Sequence, residues 1–271
     1  MILPFSIILG GATIISLALK YRFINILKQC FITISGLILL GLVVNITIYE
    51  IFITALMTWM PALILVMILQ RTRSFVLTIQ ISAIVAILLL LLFYFLVGNT
   101  GLFWNQILIN LSEILVQSGL TEQASIIKNQ SAVISQQMTI LMITMTWSMY
   151  SIILILGCAI YRASTLEVLD YGKFSDLNFG RFFAIITAIS SLLLFVFNVE
   201  WLINLAYLCF LFFWLQGLAL IHWFHEEGSL PTIGLILVYV MLPFLNVLII
   251  MILAVAGYTD AWFNYRLRMK N

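Results

Sequence analysis

The sequence predicts an all-α, polytopic helical membrane protein with about eight transmembrane helices. Of its 271 residues, 64% are hydrophobic and 8% are charged, and the mean hydropathy is +1.21. A water-soluble domain of this size could not cover so much apolar surface. The apolar stretches are continuous, whereas the strands of a membrane barrel alternate. Because unpaired backbone groups are costly in hydrocarbon, the spans must be helices. We expect a single integral membrane domain over residues 1–271.

The lengths of the apolar stretches predict where the spans lie. About 20 apolar residues cross a bilayer as a helix. On this basis the predicted spans are 3–19, 26–44, 48–69, 75–97, 138–161, 182–197, 201–224 and 231–256. We expect the first span to be retained rather than cleaved as a signal peptide, because its first cation, Lys20, follows the apolar stretch.

Residues 100–136, between the fourth and fifth spans, predict an amphipathic helical hairpin. One face of its first helix is apolar, with residues recurring at intervals of three and four: Phe103, Trp104, Ile107, Leu108, Leu111, Ile114 and Leu115. Ser118 and Gly119 end this helix, and Thr121 can cap a second, more polar one. Two interpretations stay open. The hairpin rests on the lipid headgroups, or it forms a lid over a cavity between the spans.

The distribution of cations predicts the orientation, since cytoplasmic loops are enriched in Lys and Arg. Eight cations fall in alternate connections: Lys20, Arg22, Lys28, Arg71, Arg73, Arg162, Lys173 and Arg181. Four fall on the opposite side: Lys128, Arg266, Arg268 and Lys270. We therefore expect the first set in the cytoplasm, and the N-terminus, the hairpin and the C-terminus outside. The C-terminal cations fit poorly with an outside position.

Three short motifs in the C-terminal half resemble a known family. They are FGRFF (179–183), QGLALIHWF (216–224) and DAWFNYR (260–266), with a Gly and Pro turn between the second and the third. In this order they resemble the YybS-like family of bacterial membrane proteins, a domain of unknown function. The resemblance implies a multi-pass protein of the bacterial inner membrane. It implies a more distant kinship with substrate-capture subunits of energy-coupling-factor transporters and with MreD-type proteins, and it assigns no catalytic residue.

The sequence does not predict an enzyme. It contains no GxSxG elbow, Walker loop or GxGxxG motif. His222 and His225 share a helix face near Glu226 and Glu227, but they lack the HExxH order of zinc proteases, so we interpret them as residues of the membrane interface. Single cysteines inside apolar stretches predict no metal or redox site: Cys30, Cys158 and Cys209. We expect no cofactor.

Polar residues at membrane depth are the best candidates for a ligand site, because each needs a partner there. Gln216, Asn246 and Trp147 could line a cavity for a small molecule, although hydrogen bonding between helices would also explain polar residues in spans. A transporter or substrate-capture subunit needs such a cavity.

The alternative function is a membrane scaffold, which needs only a face for envelope partners. The connection 162–181 supplies a candidate face. It carries charges of both signs, including Glu167 and Asp170, and a plain solvated loop would explain it equally well. Apart from the lipid bilayer, the expected partners are a small molecule or a protein at this connection. Nucleic acid is not expected, because the cations form no basic patch.

Overall fold

The computed structural model describes residues 3–21, 23–44, 47–165, 169–244 and 246–269. Within these residues the chain is helical and contains no strand, so the predicted all-α class is confirmed. Arg22, Glu167 and Lys270, which entered the charge analysis, lie outside the described residues. The same holds for the side chain of Asn246.

The helices follow one another with short connections. They are α1 (Leu3–Lys20), α2 (Phe23–Val44), α3 (Ile48–Thr72), α4 (Phe75–Val97), α5 (Thr100–Gln117), α6 (Thr121–Ser164), α7 (Gly180–Leu194), α8 (Glu200–Glu226), α9 (Thr232–Met241), α10 (Asn246–Phe263) and α11 (Tyr265–Met269). One turn of 3-10 helix, Phe174–Asp176, precedes α7.

Five of the described helices are long and apolar enough to cross a membrane. They are Phe23–Val43, Ile48–Thr72, Phe75–Val97, Thr121–Ser164 and Glu200–Glu226. Four shorter apolar helices accompany them: Ile7–Lys20, Gly180–Leu194, Thr232–Met241 and Val247–Phe263. These lengths and compositions indicate a membrane protein.

The first five predicted spans and the seventh lie within helices. The sixth, 182–197, overlaps α7, which ends at Leu194, and the eighth is divided. Helix α9 ends at Met241, a turn contains Pro243, and α10 begins at Asn246 and continues to Phe263. Proline lacks the N–H that a helix needs and clashes with the carbonyl four residues before it, which explains the break. The sequence predicts a kink at Pro243 in the span 231–256, and the structure has a break between two helices there. With ten residues, α9 is about 15 Å long.

The predicted hairpin is present as two helices, and its second helix continues into the fifth span. Helix α6 has 44 residues and is about 66 Å long. The indole Nε1 of Trp104 in α5 donates to Thr139 Oγ1 of α6 over 2.9 Å. Phe103 and Ile107, on the apolar face of α5, are 41% and 40% exposed, whereas Leu108 on the same face is 6% exposed, so this face is only partly buried. A headgroup anchor and a lid both stay predictions.

Contacts between Cα atoms divide the chain into two compact units, and α4 and α6 contribute to both. The first unit comprises Met1–Ser82 and Trp147–Phe174. Within it α1 packs against α3, and Gln70 Nε2 donates to the carbonyl of Ala18 over 2.7 Å. A Cβ added to Gly157 of α6 would overlap Ile15 of α1, so these two helices approach closely.

The second unit comprises Ala83–Thr146 and Ser175–Asn271, and α8 is its core. Of an apolar stretch of 18 residues in α8, 61% is buried inside the protein, compared with 11–33% in the other four long apolar helices. A Cβ on Gly217 would overlap the carbonyl of Leu253, and a Cβ on Gly257 would overlap the carbonyl of Phe213. The backbones of α8 and α10 therefore touch at a pair of glycines, as small residues allow in membrane helices.

Candidate functional site

Three separate segments of the second unit meet in a buried polar cluster. They are the turn before α7, the middle of α8, and the end of α10 with α11. The cluster comprises Asn178, Gln216, Asp260 and Arg266, together with the backbone N–H of Phe179 and the carbonyl of Leu177. Gln216 and Asp260 are 0% exposed, and Arg266 is 8% exposed. So many buried polar groups in one place require mutual hydrogen bonds.

Gln216 uses both ends of its side-chain amide within the protein. Its Oε1 accepts the N–H of Phe179 over 2.7 Å, and its Nε2 donates to Asp260 Oδ2 over 2.9 Å. Hydrocarbon offers this side chain no hydrogen-bond partner, and protein groups supply its partners instead. Gln216 therefore fastens the start of α7 to the end of α10.

Asp260 is the acceptor at the centre of the cluster. Its Oδ2 accepts from Gln216 and, over 3.5 Å, from Asn178 Nδ2. Its Oδ1 accepts the backbone N–H of Tyr265 over 3.2 Å. Arg266 Nη2 lies 3.6 Å from Oδ2 and completes an ion pair. A buried carboxylate needs such compensation, since an unpaired buried charge is very costly.

Arg266 links the cluster back to the turn before α7. Its Nη2 donates to the carbonyl of Leu177 over 2.8 Å. Burial lowers the pKa of the guanidinium, while the carboxylates of Asp260 and Asp176 oppose that change. The buried Nε has no hydrogen-bond partner in the described part of the chain. The guanidinium carries five N–H donors, so part of its capacity is unused.

An open, polar pocket of about 530 Å³ borders the cluster. Its lining combines both arginines of this region with amide and indole side chains: Asp176, Asn178, Gly180, Arg181, Trp223, Ala261, Trp262, Asn264, Arg266 and Leu267. Arg181 is exposed and forms no ion pair with a described residue. The pocket thus offers unpaired donors and aromatic faces to a small molecule.

The cluster joins two segments that the cation distribution assigns to opposite sides of the membrane, the connection 162–181 and the C-terminus. Arg266 is hydrogen-bonded to Leu177, and Asp260 to Asn178. These contacts favour one side for both segments, because the hydrocarbon core is about 30 Å thick. The orientation itself stays a prediction.

The three predicted ligand residues are not brought together by any described contact. Trp147 belongs to the first unit, where its Nε1 donates to Ser82 Oγ over 3.1 Å, and it is 6% exposed. Gln216 belongs to the second unit and is part of the polar cluster. Asn246 begins α10, and its side chain lies outside the described residues. A cavity lined by all three stays a prediction.

The histidines near the end of α8 each have a partner. Nε2 of His222 lies 2.8 Å from the hydroxyl of Tyr239, and Nδ1 of His225 lies 2.9 Å from the carbonyl of Leu230. Both partners follow α8 in the chain, so these contacts fasten α8 to the turn and to α9. In the described chain no three His, Cys, Asp or Glu side chains form a group that could hold a metal ion.

Sequence analysis missed Asp260 and Arg266, although a signal was present. The three motifs that carry the family resemblance contain Phe179, Gln216, Asp260 and Arg266, which are members of the cluster. Their order in the sequence indicates a family resemblance, but it does not show that the motifs contact one another. In addition, ending the eighth span at residue 256 assigned Asp260 to water.

Comparisons with family models, with curated proteins and with solved structures find no match for this chain. The class that the structure supports is thus an all-helical protein with several helices able to span a membrane.

Proposed function

We propose that this chain is a multi-pass membrane protein that binds a small polar molecule in the pocket beside the polar cluster. In this proposal it acts as a transporter or as a substrate-capture membrane subunit, in the bacterial inner membrane as the YybS-like resemblance implies. The observation that carries the proposal is the pocket itself. It is about 530 Å³ in volume, and Arg181, Asn264 and Trp262 line it. Ligand pockets combine apolar surface with a few convergent polar groups, as this one does.

The cluster gives the pocket a rigid base. Gln216, Asp260 and Asn178 satisfy one another and hold the turn before α7 against α8 and α10. Sites are held most precisely by groups whose own positions are locked by hydrogen bonds. In this proposal Gln216 supports the ligand site from behind, and the residues on the pocket surface contact the ligand.

In the proposed topology α9 and α10 form a re-entrant pair, because α9 is about 15 Å long and cannot cross a hydrocarbon core of about 30 Å alone. The chain then leaves the membrane on the side from which it entered after α8. The connection 162–181 and the C-terminus then share one side. Eight cations in the alternate connections and three in the C-terminal cluster face that side, which leaves Lys128 alone on the other. This distribution follows the positive-inside rule far better than eight against four. The pocket would therefore open at the cytoplasmic side.

The test is a screen for small molecules that stabilise the purified protein against heat, followed by uptake measurements in proteoliposomes. A ligand that binds the folded state raises its melting temperature. We expect a bound ligand to lose its effect in Trp262→Ala, which changes the pocket wall. The matched control is Trp59→Ala, because Trp59 lies in the first unit and does not line this pocket.

Two results would overturn the proposal. One is a broad screen in which no molecule stabilises the wild type. The other is a ligand whose stabilisation is the same in Trp262→Ala as in the wild type, because the binding site would then lie elsewhere. The scaffold alternative would gain support from the first result.

A further inference from the structure

We infer that the pocket binds a phosphate group, carried either by a soluble phosphate compound or by the headgroup of an anionic lipid. This inference rests on the proposed function, because it names the ligand class of the same pocket. Three features of the pocket support it independently: the start of α7, the buried guanidinium of Arg266, and the exposed guanidinium of Arg181.

The first feature is the start of α7, which has 15 residues. Phe179 stands at its N-cap and offers no side-chain acceptor. Asn178 Oδ1 accepts the N–H of Gly180 over 2.7 Å, and Gly180 has a left-handed backbone with φ of +75°. Gln216 and Asn178 already accept the N–H groups of Phe179 and Gly180, so the next N–H groups of α7 are the ones open to a phosphate. The partial positive charge of a helix N-terminus favours an anion there. Gly180 and Arg181 both line the pocket.

The second feature is the guanidinium of Arg266. Its side chain is 10% exposed, lines the pocket, and has a buried Nε with no partner among the described residues. Buried donors without an acceptor are rare in proteins, and they indicate a missing acceptor such as a bound ion. Asp260 neutralises part of this charge, but its carboxylate is fully buried behind Arg266 and is occupied by Gln216 and Asn178.

The third feature is Arg181, whose exposed guanidinium has no ion pair in the described chain. Arginine binds phosphate through two parallel hydrogen bonds, so this residue can provide the stronger contact. The carboxylate of Asp176 lines the same pocket and opposes an anion. A phosphate site here therefore makes two opposite predictions. Removal of the Arg181 charge weakens binding, and removal of the Asp176 charge strengthens it.

The experiment has two arms that separate the sources of phosphate. In the first, the protein is placed in phosphatidylcholine nanodiscs and its melting temperature is followed as inorganic phosphate and glycerol 3-phosphate are added. In the second, phosphatidylglycerol replaces part of the phosphatidylcholine and no phosphate is added. A soluble ligand gives a saturable rise in the first arm, whereas a lipid headgroup gives a rise in the second arm alone.

The variants are Arg181→Gln and Asp176→Asn, with Arg268→Gln as the matched control. Arg268 is exposed, lies near Phe263 and does not line the pocket, so its replacement removes the same charge elsewhere. We expect Arg181→Gln to raise the half-saturating concentration about tenfold, or to abolish the lipid effect, and Asp176→Asn to lower it. Arg268→Gln should resemble the wild type.

The inference is overturned if neither arm shows a rise, or if Arg181→Gln and Arg268→Gln have equal effects, which would indicate a general response to charge. A neutral ligand that depends on Trp262 and not on Arg181 would also overturn it. That last result would leave the proposed function standing, so the two failures can be told apart.

Discussion

Replacement of Gln216 by leucine tests whether the polar cluster holds the second unit together. The change removes the hydrogen bonds to Phe179 N–H and to Asp260 Oδ2, both of which are made by a fully buried side chain. The N–H of Phe179 would lose this acceptor. Asp260 would keep Asn178 and Arg266 at longer distances of 3.5 and 3.6 Å.

The expected loss of stability follows from these two polar groups, which lose their hydrogen-bond partner. A buried donor or acceptor left without a partner costs about 1–3 kcal/mol, and Gln216→Leu creates one such donor and weakens one acceptor. We therefore expect a loss of about 2–4 kcal/mol in unfolding free energy. An ordinary hydrogen bond between membrane helices contributes about 0.6 kcal/mol and rarely more than about 1.7.

Asn204→Leu is the matched control, because Asn204 is a buried amide in the same helix. Its Nδ2 donates to the hydroxyl of Tyr94 over 2.5 Å, a group that is part-buried and can turn to another partner. We expect the ordinary value there, near 0.6 kcal/mol. Gln216→Met, which keeps the length of the side chain, should lose nearly as much as Gln216→Leu, because the loss comes from polar groups and not from shape.

The assay is reversible unfolding in mixed detergent micelles, followed by circular dichroism. If Gln216→Leu loses no more stability than Asn204→Leu, then the cluster is an ordinary set of interhelical contacts and the reasoning above is wrong. Loss of stability in Gln216→Leu with recovery in Gln216→Met would also refute it, since packing would then be the cause.

Three further predictions follow from the same structure. Gly217→Ala should cost about 1–3 kcal/mol or more, because its Cβ would overlap the carbonyl of Leu253. Gly36→Ala meets open space and should change stability by at most about 1 kcal/mol. Equal effects in thermal unfolding would contradict the glycine contact. Asp260→Asn should destabilise by about 3–5 kcal/mol by leaving Arg266 without its carboxylate, and Asp260→Asn with Arg266→Met should recover part of that loss; an additive double variant would rule out their coupling. Cysteines at Lys173 and Met269 should label from the same side of the membrane and a cysteine at Ser125 from the other, all three positions being exposed. Labelling of Lys173 and Met269 from opposite sides would refute the proposed topology.

The helices could be predicted from the sequence because they depend on properties of each segment alone. Six predicted spans fall within helices, and α4 has the predicted bounds of 75–97. Length and hydropathy decide whether a segment crosses a membrane, and both are properties of that segment alone. The predicted hairpin was found for the same reason, since Ser118 and Gly119 mark its turn within the chain.

The sequence predicts a kink at Pro243 in the eighth span, but it does not predict that the helix ends there. Proline in a membrane helix gives either a kink or a break, and neighbouring groups decide between them. Here the helix ends, and a second helix begins at Asn246. In the proposed topology this break changes the side of everything after it, including Arg266. Errors of local structure are small, but errors of topology accumulate along a membrane chain.

The polar cluster could not be predicted because its members come from three distant parts of the chain. Leu177 and Arg266 are 89 positions apart, and Gln216 and Asp260 are 44 apart. Hydropathy says that a buried Gln216 needs a partner, but it does not say which one. The partners of Gln216 lie in the motifs that carry the family resemblance, since each motif contributes a member to the cluster.

The structure also changes where a ligand should be sought. A polar residue at membrane depth attracts attention because it needs a partner, yet Gln216 has found its partners within the protein. Satisfied groups of this kind hold a fold in place, and they have little left to offer a ligand. The donors with spare capacity belong to the guanidinium of Arg266, to Arg181 and to the start of α7. A ligand that supplies acceptors to these three places at once would complete the hydrogen bonding that the chain alone leaves unfinished.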